Sequence, residues 1–465
     1  MRSLVRERAG LELEPPGSAT PDSAPGAPPA APGPTGQPAG AVAGHADLDS
    51  EVQRLAAGPL SLESAVRIAL LNNRELRAEL LGLGVARGQL VQASVLPNLD
   101  FEAQVLFSKD PSAERQWALG AGFDLTQLIL RGSRRGAAEA ELSTARLQAA
   151  GAALDLAYQV RLAYYDAQAA AQELTLLRGV QQASAASAEA AQALHDAGNL
   201  TDLDLSNEQS AAQGAELELE LAEAEALELR ERLNVLLGLF GRDTGWTIES
   251  QLPEPTANLG DLARLESRAI AASVELAATR STLDAAARRV GIASTAGWLP
   301  QLHLDARAEH DGQYWAVGPA LSGSLPLFDR QQGKVLALQA ELDQLRARYT
   351  AAAVTIRAAT RAARVQALAS EKRARRYREQ LLPLRERVLS QTLLEYNAMQ
   401  VGVFQLLEAR RQQIEAQRAY VGSLRDYWRA RATLEQLLAG RLASTLPLAR
   451  AEHAARGTLT VDPQP

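Results

Sequence analysis

The chain states one pattern twice, about 200 residues apart, and that duplication limits what it can fold into more than any other feature. Glu75-Leu76 is echoed at Glu275-Leu276, and Leu96-Pro97-Asn98-Leu99 at Leu299-Pro300-Gln301-Leu302. Gly198, followed by Asn199, Leu200 and a carboxylate at Asp204, is echoed by Gly402, Val403, Phe404 and Glu408. Each copy reads as helix, strand pair, long helix, glycine turn and return helix. The period is too long for a solenoid, whose units of roughly 20 to 50 residues stack on one another. It implies one half-structure used twice.

Ala, Leu, Glu, Gln and Arg dominate and aromatics are only 4 %, a composition of long helices rather than of a compact α/β enzyme. The net charge of -7, with signs interleaved, lacks the basic stripe a nucleic-acid surface needs, so nucleic acid is not an expected partner. With no cysteine in 465 residues, disulfides, thiolate metal sites and a lipidated N-terminal Cys are excluded. No apolar run reaches the length of a transmembrane helix. Met1 to Arg8 is basic, but a Pro/Ala/Gly-rich stretch follows where the apolar core of a signal peptide would stand. Either a signal lies upstream of Met1 or the chain is not exported.

The strands carry the membrane signal. Leu99, Phe101, Ala103, Val105 and Phe107 alternate with Asp100, Glu102 and Gln104; Trp117, Leu119, Ala121 and Phe123 alternate with Gly120, Gly122 and Asp124. In the second copy Leu302, Leu304, Ala306 and Ala308 oppose His303, Asp305, Arg307 and Glu309, and Trp315, Val317 and Leu321 alternate with small residues. Such period-2 segments of about ten residues match transmembrane β-strands, apolar toward lipid and polar toward a lumen. Glu102, Asp124, His303, Asp305 and Arg307 are then pore-lining, and Trp117, Tyr314 and Trp315 fit an interfacial aromatic girdle. Two soluble hairpins packed on helices would show the same parity. In lipid, however, every backbone group must be paired, so four strands must close with strands of other copies; three copies give a barrel of about twelve.

The segments over 133–198 and 333–402 are long amphipathic helices, on the order of 100 Å each at about 1.5 Å per residue, and Pro383 should kink or rewind the second. The opening helices, near Leu60 to Val95 and Asp261 to Ser294, and the return helices are about half as long. Stacked in pairs beside the long helices, they suit a cylinder wall. A coiled-coil scaffold without a membrane is the competing reading. The division that follows is a Pro/Ala/Gly-rich segment over 1–55, expected to be disordered; a first repeat over 56–240; a linker over 241–260; a second repeat over 261–440; and a tail over 441–465. The first repeat holds strands over 99–107 and 117–128, the long helix over 133–198 and a return helix over 201–239. The second holds strands over 301–309 and 314–327, the long helix over 333–402 and a return helix over 405–439.

Leu62-Glu63-Ser64-Ala65 with Asn72-Asn73-Arg74-Glu75-Leu76, Leu96-Pro97-Asn98-Leu99, and Ala197-Gly198-Asn199-Leu200-Thr201-Asp202-Leu203-Asp204 resemble the TolC family of outer-membrane efflux proteins. Leu325-Pro326-Leu327-Phe328-Asp329-Arg330 and Tyr396-Asn397-Ala398-Met399-Gln400-Val401-Gly402 carry the resemblance in the second repeat. It spans about Leu60 to Gly440. The resemblance implies a mainly α fold with a transmembrane β-barrel section: duplicated long-helix and strand-pair halves forming, as a homotrimer, an α-barrel plus a twelve-stranded β-barrel. It implies a passive exit duct in the outer membrane with a periplasmic extension, no catalysis and no cofactor. The implied partners are outer-membrane lipid, a periplasmic adaptor and an inner-membrane pump, here of resistance-nodulation-division type. It places Gly198, Asn199, Leu200, Gly402, Val403 and Phe404 at a periplasmic tip that docks the adaptor. Asp202, Asp204, Glu408 and Arg411 are then candidate gate or selectivity residues.

Other chemistry is thin. His303, Asp305, Glu309, His310 and Asp311 form the one cluster with a metal-site flavour, but alternation strings the first three along one strand face, so no metal site is expected there. Phosphate-loop, zincin and nucleophile-elbow signatures are missing, and no catalytic residue is assigned. The basic run from Lys372 to Arg378 reads as a solvated helix face, and Asp202 and Asp204 also suit the first turn of a helix.

Overall fold

A computed structural model describes residues 50–106, 116–249, 251–255, 264–298, 301–310, 314–324 and 326–443. Of the segment over 1–55 expected to be disordered, residues 1–49 lie outside these residues, while 50–55 are helical with Val52 buried, a correction to that expectation. The strand end at Phe107 with its turn at Ser108 to Pro111, Asp311, and most of the C-terminal tail also lie outside. The first copy comprises β1 (Pro59–Leu60), α1 (Leu62–Asn72), α2 (Arg74–Ser94), β2 (Asp100–Leu106), β3 (Gln116–Asp124), α3 (Leu125–Asp196) and α4 (Asp202–Leu237). A 3-10 turn over Gly241–Thr244 and β4 (Thr247–Ile248) lead to the second: α5 (Leu265–Ala272), α6 (Val274–Ala296), β5 (Gln301–His310), β6 (Trp315–Ser324), α7 (Gln332–Arg376), α8 (Leu382–Asn397) and α9 (Val403–Leu438). Helix, hairpin, long helix and return helix thus recur in the same order.

Several boundaries differ from the sequence reading. Residues 125–128 are helical, not strand, because the Asp124 carboxylate accepts the Gln127 N–H at 3.0 Å and caps α3 eight residues earlier than expected. The last strand stops at Ser324. The second long helix does not reach Gly402: α7 gives way to a π-turn over Tyr377–Leu381, immediately before Pro383, and α8 ends at Asn397. There the Leu382 N–H reaches back to the Tyr377 carbonyl, a wider turn that absorbs the helix disruption Pro383 brings. Each opening helix is broken at one residue, Asn73 (ψ 121) and Ser273 (ψ 114).

Contacts divide the chain into two compact units. The first takes in α1, the Ala152–Ser273 stretch and Ile356 onward. Its break at Asn73 is held by hydrogen bonds: the Asn72 side chain donates to the carbonyls of Leu237 (3.0 Å) and Gly238 (2.8 Å), and Asn73 donates to Leu236 (3.0 Å) while accepting the Leu76 N–H. The orphan carbonyls at the end of α4 are thereby satisfied. The described part of the inter-repeat segment, 241–249 and 251–255, is structured as well. β4 pairs in parallel with β1, Trp246 is buried with its indole N–H on Asn234 (2.7 Å), and Gln168, Gln172 and Trp428 bond the backbone of Gln251, Leu252 and Pro253. Along α3 and α9, Tyr165 stacks on Trp428 at 5.2 Å and the buried Asp166 receives Arg429.

The second unit, Ala78–Gly151 and Val274–Thr355, holds the four-stranded antiparallel sheet in the order β2-β3-β5-β6. The two hairpins meet through β3 and β5, one from each copy.

Candidate functional site: the sheet faces and the helical tips

The register of the sheet sorts its side chains into two faces. Phe101, Ala121, Ala306 and Pro319 stand in one cross-strand row, and Ala103, Leu119, Ala308 and Val317 in the next. Phe123, Leu304 and Leu321 form a third. The opposite face carries Asp100, Gly122, Asp305 and Ala320, then Glu102, Gly120, Arg307 and Gly318, then Asp124, His303 and Ser322. All five residues expected to line a pore therefore share one face. On it Arg307 reaches Glu102 at 3.6 Å across Gly120, which lacks a side chain to obstruct them. The apolar face is open to its surroundings: Phe101 is 75 % exposed and Val317 76 %.

His310 does not belong with the polar residues. It falls on the apolar face, in the row of Trp117 and Trp315, with its ring 5.0 Å from Trp315. These three rings form a band across the sheet at one end. Among the described residues no group of three or more His, Asp or Glu side chains could hold a metal ion, and no helix is long and apolar enough to cross a membrane.

The tips, in the first unit, follow one design twice. After α3, Gly198 adopts φ +76, its N–H bonds the His195 carbonyl (2.8 Å) and the Asn199 N–H bonds that of Leu194 (2.8 Å). After α8, Met399 adopts φ +57 and the same pair of bonds runs from Met399 to Tyr396 and from Gln400 to Glu395, each 2.9 Å. Both are Schellman caps, in which a left-handed residue closes the helix end. Three residues later come the N-caps, Thr201 and Gly402.

This geometry corrects the sequence alignment of the tips. The counterpart of Gly198 is Met399, not Gly402, and the counterpart of Asp204 is Gln405, not Glu408. Gly402 is extended (φ -80, ψ 166), a conformation open to any residue. Gly198→Ala should therefore cost about 1 kcal/mol, whereas Met399→Gly should add about as much, since the left-handed region penalises a side chain by roughly that amount; thermal unfolding of the two variants in detergent checks the opposite signs.

Asp204 and Gln405 do equivalent work. The Thr201 hydroxyl donates to the Asp204 carboxylate (2.7 Å) and accepts its N–H (3.2 Å), while the Gln405 side chain accepts the Gly402 N–H (2.6 Å). Asp202 accepts from His195 Nε2 at 2.7 Å. That hydrogen bond, helped by Asp196, raises the His195 pKa above the ordinary imidazole value. The clasp contributes most where the imidazole is protonated and is lost as pH rises through the folded-state pKa.

Glu408 pairs with Arg411 at 2.7 Å and accepts from Gln412. Both line a groove of about 610 Å³ bordered by Val180, Asn207, Glu208 and Phe404. Of the proposed docking residues, Gly198, Asn199 and Gly402 are exposed, and Leu200, Val403 and Phe404 half-buried. Two tip residues escaped the sequence reading: Met399, 94 % exposed, and Leu203, 69 %. The signal for Met399 was its place two residues past a helix end, which the false match of Gly198 with Gly402 concealed.

The family profile described as "Outer membrane efflux protein" matches residues 65–239, the first copy of the duplication. Over that first copy the chain is similar to this family. It is 26 % identical over 394 residues to the cobalt-zinc-cadmium resistance protein CzcC of Cupriavidus metallidurans, covering 83 % of this chain and 91 % of that relative. Its fold is similar to that of CusC (TM-score 0.69, 17 % identity, 82 % of this chain and 92 % of the other). The same holds for the Vibrio cholerae outer membrane protein VceC (0.67, 20 %, 82 % and 96 %) and the Campylobacter jejuni channel CmeC (0.69, 15 %, 84 % and 88 %).

Proposed function

We propose that three copies of this efflux protein form a passive outer-membrane duct, the exit of a tripartite system whose energy comes from an inner-membrane pump. The observation that carries this is the sheet: one face apolar apart from His310 at one end and largely exposed, the other polar, and, among the described residues, an open edge at both β2 and β6. Backbone groups on an open edge cannot be left unpaired in lipid, so β2 of one copy must meet β6 of another. Three sheets of four strands close a barrel of twelve. Light scattering in detergent, corrected for the micelle, should give a trimer. A monomer that keeps its full strand content by circular dichroism would overturn the reading.

The tips are the docking end for a periplasmic adaptor, through Gly198, Asn199, Leu200, Gly402, Val403 and Phe404 together with the exposed Leu203 and Met399. Asp202 and Asp204, present three times around the axis, bias the constriction toward cations. Glu408, beside Arg411, contributes less. Replacing both aspartates by asparagine should lower the cation-to-anion permeability ratio in planar bilayers, and Glu408→Gln should change it little. The likeness to a cobalt-zinc-cadmium resistance protein supports such metal ions as cargo. The pump proposed as partner is of resistance-nodulation-division type.

A further inference from the structure

Two helix faces of the first unit are bare, and they carry opposite charge. On α4, Leu217 and Leu221 are exposed beside Glu220, Glu225 and Glu228; at 100° per residue these five fall on one side of the helix. On α7, Val365 and Leu368 are exposed beside Arg364, Lys372 and Arg376, again on one side. Other charges of these helices are engaged within the chain, Glu218 and Glu223 by Arg418 and Arg178, Arg361 and Arg373 by Glu266 and Asp426. Glu220, Glu225, Glu228, Arg364, Lys372 and Arg376 have no such partner among the described residues.

The two faces also lie at one height. Arg418 of α9 meets Glu218 of α4, and Asp426 of α9 meets Arg373 of α7. Both α4 and α9 run antiparallel to α3, as Ser187 to Glu208 and Arg178 to Glu223 show for one, and Glu173 to Arg418 and Asp166 to Arg429 for the other. They therefore climb together, about 12 Å between positions 418 and 426 at roughly 1.5 Å per residue. This puts Glu225 and Glu228 level with Arg373, and so with Lys372 and Arg376. Rotation about an axis parallel to the helices changes no residue's height.

We infer that the acidic face of α4 in one copy packs against the basic face of α7 in the next, a head-to-tail interface with Glu225 and Glu228 on Lys372 and Arg376 around Leu221 and Leu368. This rests on the reading of the chain as a ring of three copies. The occupant is a second copy because both halves of the match stand on one chain in register, which is what closure of a ring by a heterologous contact requires.

The cysteine-free sequence makes the test clean. In the full chain purified in detergent, the pair Glu228→Cys and Lys372→Cys should give dimer and trimer bands with a short bismaleimide, and either single variant should give at least tenfold less. Charge reversal is the second probe: Glu228→Lys should weaken subunit association, and adding Lys372→Glu should restore it. Equal dimer from a single variant would mean a two-fold contact and overturn the interface. A trimer by light scattering without cross-links would overturn the interface while leaving the duct standing; a monomer would overturn both.

Discussion

Gly122→Val should abolish the β3 and β5 pairing and, with it, any trimer recovered in detergent. A Cβ at Gly122 would overlap the Asp305 carboxylate and lie 2.6 Å from the Leu304 carbonyl oxygen. The carboxylate could swing aside, but the carbonyl belongs to the neighbouring strand and cannot move without breaking the ladder. Overpacking of this kind costs about 1–3 kcal/mol, more where backbone must yield. Two glycines of the same sheet supply the controls. Gly318→Ala meets nothing within 4 Å, and Gly120→Ala meets Glu102 Cβ at an ordinary 3.6 Å, so both should assemble normally. Size-exclusion profiles of the three variants check the series, and an assembled Gly122→Val trimer would contradict the register.

The second large effect is expected at Asp166. Its two oxygens accept from Arg429 Nη1 at 2.6 and 2.5 Å, and its side chain is only 7 % exposed. Removing one partner of a buried pair leaves an uncompensated charge, at a cost of about 3–5 kcal/mol when both are enclosed. Because Arg429 is 40 % exposed, solvent lowers the expectation for Arg429→Ala to about 2–3 kcal/mol. Arg346, whose pair with Asp343 is exposed on both sides, should cost well under 1 kcal/mol when replaced by alanine. Thermal unfolding in one detergent separates the two.

What could be read in the sequence follows from which forces leave a periodic mark. Burial and lipid exposure leave one: the alternation at Phe101, Phe123 and Leu304 against Glu102, Asp124 and Asp305 predicted both sheet faces, and the duplication predicted the order of elements. Hydrogen-bonded punctuation leaves little. Nothing in Asp124-Leu125-Thr126 distinguishes a strand's end from a helix cap until the Gln127 N–H is seen on the carboxylate. The break at Asn73 lies inside a helical pattern and becomes visible through the carbonyls its neighbour Asn72 serves on α4, about 165 residues away. At the tips the sequence offers a glycine near each turn as the natural left-handed residue. That held at Gly198 and failed at Gly402, because the helix-closing bonds set the conformation at Met399 whatever its side chain.

The central claim is that one face of the sheet meets lipid and the other a wet lumen. Single cysteines on the cysteine-free chain in liposomes test it most directly. Those at Phe101, Phe123 and Leu304 should react with a lipid-soluble maleimide and resist a charged, impermeant one, and those at Glu102, Asp124 and Asp305 should do the reverse. Labelling that ignores this parity would contradict the account and leave these strands as hairpins outside the membrane.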